Sequence, residues 1–301
     1  MTRVLVVGAS GFLGQHVVRA LAAAGHEVTA TYRDPAFGGF PGVEGVTAIR
    51  HDLLKDERRW EEDVCVYLAG NSHHGRSLED PLTDLEQNTV GLLRFLRGFS
   101  GAIVLFSSAA VYEGHEGAVG PATPVSPVFP YAVSKLAGEA YVRHHQRTEG
   151  LRGYLILRLY YAFGPGERRG RLFEALCRKG LLGGERKFEV SGAGDSLLDP
   201  LYVEDVAACA VKSIDHATHN RVFDLCAGWP TPVRSLITRV GLAQGVSLEV
   251  VHTPPRPEIP VRFFSDPQPL RKALGLPEPT PLQESVGRYL GWMKERLTAK
   301  P

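Results

Sequence analysis

The stretch VVGASGFLGQHVVRAL, residues 6–21, decides the fold. A run of β-branched residues leads into Gly8, Gly11 and Gly14, and a helical pattern follows. Glycine allows a tight turn at the first position, lets backbone N–H groups approach an anion at the second, and permits close helix packing at the third. Because a helix N-terminus favours negative charge, this unit predicts a site for the pyrophosphate of a dinucleotide.

Further apolar runs recur along the chain and alternate with helical patterns. They are EVTATY (27–32), VTAIR (46–50), VCVYL (64–68), AIVLF (102–106) and YLILRL (154–159). Runs that do not alternate with polar residues are typical of parallel strands covered by helices on both faces. They predict a doubly wound, Rossmann-like α/β sheet.

The pattern changes after Gly164, where FGPGERRGR is rich in Gly, Pro and Arg, and we predict a second lobe from this point. The many prolines of residues 254–281 predict an extended, turn-rich path rather than a core helix. A last amphipathic helix is expected at about 281–298.

Composition narrows the possible partners and compartment. The 301 residues carry a formal net charge of +1, which provides no field to attract nucleic acid or an anionic membrane, so a small-molecule partner is expected. The four cysteines form no CxxC pair and are expected to be reduced core residues. No apolar run approaches the ~18 residues of a membrane span, and the first strand pattern begins at Arg3, so we expect a cytoplasmic protein.

The end of the second strand, TATYRDP, bears on the choice of cofactor. An acidic residue there would bind both ribose hydroxyls and repel a 2′-phosphate, whereas this chain has Tyr32 and Arg33. Arginine pairs with phosphate in a bidentate way, so NADP(H) is the preferred cofactor. Asp34, or an Arg33 that only stacks on adenine, keeps NAD(H) open as the alternative. Asp52 and Leu53, after the third strand, are candidates for an adenine contact.

A hydride-transfer site is predicted from Tyr131 and Lys135, which stand four residues apart in PYAVSK and therefore share one helix face. A phenol with a pKa near 10 is a poor base, but an adjacent ammonium and an oxidised nicotinamide favour its phenolate. Ser108, at the end of the preceding strand, is expected to hydrogen-bond the same substrate oxygen.

These motifs occur together with YLAG (67–70), SLEDPLTDLEQNTVGLL (77–93), SSAAVY (107–112), LRLYYAFGPG (157–166) and LYVEDVA (201–207). In this order and spacing the chain resembles the extended short-chain dehydrogenase/reductases, in their NAD-dependent epimerase/dehydratase branch. The resemblance implies a parallel sheet of about seven strands, a smaller C-terminal substrate-binding lobe and a homodimer. It implies a dinucleotide-binding domain over 1–165, to which 201–228 return, and a substrate lobe formed by 166–200 and 229–301.

The resemblance also implies a catalytic set of Ser108, Tyr131 and Lys135, with Asn88 shaping the active-site helix. The predicted cofactor-binding residues are Gly8, Ser10, Gly11, Phe12, Leu13, Gly14, Tyr32, Arg33, Asp52, Leu53, Leu68, Ala69, Gly70, Tyr131 and Lys135.

The chain departs from its dehydrating relatives directly after Ser108. Those enzymes carry an acidic pair there, which protonates a leaving hydroxyl and removes the neighbouring proton. Here the two positions are Ala109 and Ala110. Without an acid and a base, elimination of water lacks its chemistry, so a dehydratase is not expected.

Two phosphate contacts of nucleotide-sugar members are also replaced, by Tyr161 in place of an asparagine and by Leu198 in place of an arginine. Loop arginines, including Arg169 and Arg171, either substitute for these contacts or are merely solvated. Tyr112 either lines the pocket or packs beneath it. His73 and His74 follow the fourth strand, and no metal site is expected because adjacent histidines on an extended chain point apart. The predicted substrate contacts are Ser108, Tyr161, His73, Arg168 and Arg256.

Three functions follow. The first is a nucleotide-sugar 4-ketoreductase or 4-epimerase, and the second is an NADPH-dependent reductase of a small non-sugar ketone. The third, a dinucleotide-binding regulator without turnover, is disfavoured because a sensor has no use for the intact Ser108, Tyr131 and Lys135.

Overall fold

The computed structural model describes residues 1–72, 74–148, 150–254 and 260–298. Their strands are β1 (Arg3–Val7), β2 (Glu27–Tyr32), β3 (Val46–Arg50), β4 (Val64–Tyr67), β5 (Ala102–Ser108), β6 (Glu116–Val119), β7 (Gly153–Leu159), β8 (Tyr161–Phe163), β9 (Lys187–Ser191), β10 (Leu197–Leu198), β11 (Pro200–Tyr202), β12 (Arg221–Leu225), β13 (Thr231–Pro232), β14 (Glu249–Thr253) and β15 (Arg262–Ser265). Their α-helices are α1 (Phe12–Ala23), α2 (His74–Glu79), α3 (Pro81–Leu85), α4 (Gly91–Arg97), α5 (Pro130–Thr148), α6 (Leu172–Ala175), α7 (Val203–Ser213), α8 (Val233–Ala243), α9 (Gln268–Leu274) and α10 (Leu282–Thr298).

A seven-stranded sheet with the order β12-β7-β5-β4-β1-β2-β3 forms the centre of the fold, and every neighbouring pair in it is parallel. This confirms the predicted doubly wound α/β sheet. The strand order reverses between β1 and β4. In such sheets ligands bind at the carboxyl ends of the strands beside this switch point.

The strands are apolar throughout because both faces of the sheet are covered. Val4 and Val6 of β1 pack in a cluster with α1, α7 and α9, whereas Leu5 and Val7 pack with α4 and α5 on the other face. A separate cluster, which includes Phe163, Phe173 and Tyr289, is formed by residues from β8 onward.

The prediction that residues 254–281 contain no core helix is wrong. Helix α9 lies within this range, and Leu270 and Leu274 are buried in the sheet cluster. Proline is compatible with this helix because Pro267 is its N-cap and Pro269 lies in the first turn, where the missing N–H has no partner to lose. Helix α10 matches the amphipathic helix that was expected at about 281–298.

Cys65, Cys177, Cys209 and Cys226 are buried free thiols, as expected for core residues. None of the helices formed by the described residues has the length and apolar character needed to cross a membrane.

Candidate active site

The glycine loop between β1 and α1 is pressed against the segment that follows β4. Gly8 has a φ of +88°, and a Cβ there would lie 2.8 Å from the backbone nitrogen of Ala69. A Cβ on Gly14 would lie 2.3 Å from the carbonyl oxygen of Gly8. Side chains are therefore excluded at both positions, and the predicted cofactor residues Gly8 and Ala69 are brought together.

The N-terminus of α1 is left open for a ligand. Gly11 is its N-cap, and no side chain of the described residues hydrogen-bonds to the amides of the first turn, which include those of Phe12 and Leu13. Two residues near this helix N-terminus make other hydrogen bonds. The Ser10 carbonyl accepts from the Gln15 side chain, and the His16 ring contacts the Pro165 carbonyl at 2.8 Å. A close-packed glycine loop and an uncapped helix N-terminus fit the pyrophosphate of a nicotinamide dinucleotide.

The carboxyl ends of β2 and β3 lie beside this loop. Arg33 is exposed and forms no hydrogen bond or ion pair within the described residues. The carboxylate of Asp34 is engaged in its own turn, where it accepts from the Ala36 amide at 2.9 Å. Asp52 likewise accepts from the Leu54 amide at 3.0 Å, and Leu53 packs beside Gly91. Arg33 is thus the uncommitted charge at the end of β2.

Ser108, Tyr131 and Lys135 meet at the end of β5. The Ser108 side chain lies close enough to Tyr131 to lower the pKa of its phenol, and the Ser108 hydroxyl accepts from the Ala110 amide at 3.2 Å. Lys135 lies one turn further along α5, and its ammonium donates to the Phe106 carbonyl at 2.9 Å. The structure therefore brings the three predicted catalytic residues into one cluster.

Burial shifts the proton affinities of this cluster. It raises the pKa of Tyr131, as the charge of Asp84 also does, while the Ser108 hydroxyl and the charge of Arg171 lower it. Burial also lowers the pKa of Lys135 to about 8, against the carboxylates of Asp84 and Glu139, which raise it. Burial thus moves the two pKa values apart, since that of the Tyr131 phenol rises and that of the Lys135 ammonium falls.

Asn88 lies in a π-helical turn, Glu86–Val90, beneath α5. Its side-chain amide donates to Asp84 at 3.1 Å and to Ser134 at 2.9 Å. Its oxygen has no hydrogen-bond partner in the described part of the chain and faces Gly70, where a Cβ would approach it to 2.2 Å. The predicted asparagine therefore contacts α5 at Ser134, between Tyr131 and Lys135.

Tyr161 belongs to a polar group beside this cluster. Its hydroxyl donates to Glu167 at 3.3 Å, and the Arg171 guanidinium lies 3.4 Å from the same carboxylate and 4.4 Å from the centre of the Tyr161 ring. Burial raises the pKa of Glu167 to about 7, although Arg171 and Tyr161 lower it. The charge of Arg171 also lowers the pKa of Tyr131. The predicted contact Arg168, in contrast, is exposed on the loop.

Two predicted substrate contacts, His73 and Arg256, lie outside the described residues. His74 is described, and the centre of its ring lies 4.6 Å from that of Tyr131. Tyr112 is fully buried and hydrogen-bonded to Asp224 and Arg158, so it packs beneath the site rather than lining it.

Asp84 and Glu167 are buried carboxylates of the site that the sequence prediction missed. The available signal for Asp84 was its position four residues before Asn88 in a helical pattern. Glu167 lies in a glycine- and arginine-rich loop, where no sequence pattern distinguishes a buried carboxylate from a solvated one.

The sequence profile of the NAD-dependent epimerase/dehydratase family matches residues 4–226. The chain belongs to this family. Among its relatives, the GDP-6-deoxy-D-mannose reductase of Pseudomonas aeruginosa is 32% identical over 273 residues, which cover 84% of each chain. A putative UDP-glucose 4-epimerase of Methanocaldococcus jannaschii is 28% identical, with 97% of this chain and 98% of the relative covered.

Solved structures of similar fold cover nearly the whole chain. RMD from Pseudomonas aeruginosa complexed with NADPH is 28% identical, with a TM-score of 0.78 and coverage of 98% and 100%. TunA, an NAD-dependent NDP-hexosamine 5,6-dehydratase of tunicamycin biosynthesis, is 27% identical, with a TM-score of 0.86 and coverage of 98% and 99%. The family member described here is accordingly an NAD(P)-dependent enzyme of the epimerase and reductase type.

Proposed function

We propose that this enzyme is a nucleotide-sugar 4-ketoreductase or 4-epimerase, and not a dehydratase. The observation that carries the proposal is the cluster of Ser108, Tyr131 and Lys135 at the sheet edge that holds the glycine loop, with Ala109 and Ala110 beside it. Ser108, Tyr131 and Lys135 can donate or accept a proton at one substrate oxygen. Ala109 and Ala110 provide no second acid and base beside them.

The chain's residues perform the proton half of the reaction. In reduction the Tyr131 phenol donates its proton to the carbonyl oxygen, and in oxidation its phenolate removes the hydroxyl proton. The Ser108 hydroxyl hydrogen-bonds the same oxygen and holds it in line, and the Lys135 ammonium favours the phenolate. A bound nicotinamide dinucleotide supplies or accepts the hydride at the adjacent carbon.

The exclusion of dehydration rests on Ala109 and Ala110, which carry no titratable group. TunA shows that this fold also supports a dehydratase, so the exclusion needs its own test. Loss of water lowers the mass of a nucleotide sugar by about 18 Da, and mass spectrometry after incubation with NAD is expected to find no such product.

We propose NADP(H) as the preferred cofactor and NAD(H) as the alternative. The uncommitted Arg33 supports this preference, as does the engagement of Asp34 in its own turn, which removes the carboxylate nearest to a 2′-phosphate. RMD, one of the similar structures, is complexed with NADPH.

We further propose that residues 166–200 and 229–301 form the substrate-binding lobe. The proposed substrate contacts are Arg168 and Arg256 from this lobe, together with Tyr161 and His73 from the dinucleotide-binding domain. Tyr161 is supported as a contact because the Arg171 guanidinium over its ring also acts on the pKa of Tyr131. Arg171 and His74 are added to the proposed contacts because both lie near Tyr131. A small non-sugar ketone remains the second candidate substrate because Tyr161 and Leu198 replace two family phosphate contacts.

A homodimer through α3 and α5 is part of the proposal. Leu82, Leu85, Val133 and Tyr141 expose apolar side chains on these helices, which supports an apolar interface. A cytoplasmic location is also proposed, because the four buried free cysteines suit a reducing compartment.

Turnover of nucleotide sugars tests the proposal. The protein is incubated with NADPH and 4-keto derivatives of GDP-, UDP- and dTDP-sugars, and separately with NAD and the corresponding alcohols. We expect NADPH oxidation with a 4-keto sugar, or interconversion of 4-epimers observed by NMR. Turnover confined to simple ketones would favour the second candidate and refute the nucleotide-sugar substrate.

A further inference from the structure

We propose that Asp84 is a positioning residue of the active site, which ties Asn88 to helix α5 and supplies the negative charge that faces Lys135. The inference rests on the proposed catalytic role of Tyr131 and Lys135. Asp84 touches neither the reacting oxygen nor the cofactor loop, so it acts through the residues that it holds and through its charge, which raises the pKa of both Tyr131 and Lys135.

The carboxylate of Asp84 is buried, with 1% of the residue exposed, and both of its oxygens are bound. One oxygen accepts from the side-chain amides of Asn71 at 2.6 Å and Asn88 at 3.1 Å. The other accepts from the Ser134 hydroxyl at 2.6 Å. These donors are all neutral, and within the described residues Asp84 has no cation within 4.0 Å.

The hydrogen bonds of Asp84 connect three segments of the site. Asn71 follows β4, Asn88 lies in the π-helical turn, and Ser134 lies on α5 between Tyr131 and Lys135. Asp84 is therefore the acceptor at which the sheet edge and the two helical segments meet, and it sets the position of the α5 turn that carries the catalytic pair.

Burying a carboxylate without a paired cation costs free energy. The cation on which the charge of Asp84 acts is the ammonium of Lys135. Asp84 raises the pKa of Lys135 against the effect of burial. Glu139 acts on Lys135 in the same direction, but its carboxylate is paired with Arg158 at 2.8 Å and with Arg143 at 3.0 Å. Asp84 is thus the carboxylate near Lys135 whose charge has no other close partner.

The substitution Asp84→Asn separates charge from shape. An asparagine keeps one oxygen for Asn71 and Asn88, and its NH2 group faces Ser134, whose hydroxyl then donates to the Tyr131 carbonyl that lies 2.9 Å away. Glu86→Gln is the matched control because it removes the same charge two residues along, at an exposed position.

The titration of Lys135 is followed in the full-length protein by 13C NMR of lysines labelled at Cε, and Lys135→Arg identifies the resonance. We expect a wild-type midpoint near pH 8 and a midpoint lower by about one unit in Asp84→Asn, with no change in Glu86→Gln. Equal midpoints in the two variants would overturn the proposal. If circular dichroism shows Asp84→Asn to be unfolded, Asp84→Ser replaces it, with the same expected shift.

A kinetic measurement distinguishes positioning through charge from simple support of the fold. With a nucleotide sugar that the enzyme turns over, Asp84→Asn is expected to move the pH profile of kcat to lower pH by the same amount as the NMR midpoint. A kcat that is reduced equally at every pH would contradict the proposal. Absence of turnover on every nucleotide sugar would refute the proposed function alone, because the NMR titration needs no substrate.

Discussion

The burial of Glu167 beside the active site predicts an unusual dependence of stability on pH. Its side chain is wholly inaccessible to solvent, and one of its oxygens has no hydrogen-bond partner among the residues that the structure describes. Burial raises its pKa from 4.5 to about 7, although Arg171 and Tyr161 partly oppose the shift. Because the folded-state pKa is raised, Glu167 contributes stability that is fully present below pH 4.5 and is lost as pH rises through 7.

The size of the effect follows from these two pKa values. Between pH 5 and pH 8, linkage gives a loss of about 2.5 kcal/mol in the free energy of unfolding that is due to Glu167. The variant Glu167→Gln keeps the shape and the acceptor for Tyr161 but cannot ionise. Wild type minus variant therefore isolates this contribution from the titration of every other group.

Urea unfolding of both proteins at pH 5, 6, 7 and 8 measures that difference. Wild type is expected to lose about 2.5 kcal/mol relative to Glu167→Gln across the range, with most of the change below pH 7. Glu189→Gln, an exposed carboxylate on β9, is the control and is expected to follow wild type at each pH. A difference between wild type and Glu167→Gln that stays constant to within about 0.5 kcal/mol would refute the burial of a raised-pKa carboxylate.

Three further predictions concern the glycine loop, Arg33 at the end of β2, and the catalytic lysine. Gly14→Ala places a Cβ 2.3 Å from the Gly8 carbonyl, so the loop must shift, and calorimetry is expected to show affinity for NADPH reduced about tenfold or more. Arg33→Glu is expected to reduce the preference for NADPH over NADH by about ten- to a hundredfold, because about 1.5–3 kcal/mol of charge-assisted hydrogen bonding is lost; an unchanged ratio would exclude Arg33 from phosphate recognition. Turnover is expected to fall as pH rises through about 8, where Lys135 loses its charge, and this limb of the pH profile should disappear in Lys135→Arg.

The sheet was predictable because its strands are buried on both faces. Alternate residues of β1, such as Val6 and Val7, pack against helices on opposite sides, so the run contains no polar position. The glycine loop was predictable for a similar reason, since Gly8 and Gly14 sit where the backbone leaves no space for a Cβ. Helix α9 was not predicted because the number of prolines in the segment argues against a helix. Their position at the start of α9 is compatible with one.

The site was only partly predictable. Ser108, Tyr131 and Lys135 follow from spacing and strand ends, which are local features of the chain. Asp84 and Glu167 acquire their character from partners far away in sequence: Ser134 binds Asp84 from another helix, and burial rather than any neighbouring motif raises the pKa of Glu167. A sequence pattern does not report burial of this kind.

The substitution Tyr131→Phe tests the central claim most directly. It removes one hydroxyl at the junction of Ser108 and Lys135, and the catalytic rate on a nucleotide sugar is measured together with the affinity for NADPH. We predict that kcat falls by about 10²- to 10⁴-fold, as expected for loss of a general acid and base, while cofactor affinity falls far less because the phenylalanine keeps the aromatic ring. A Tyr131→Phe variant that retains wild-type kcat would contradict the account.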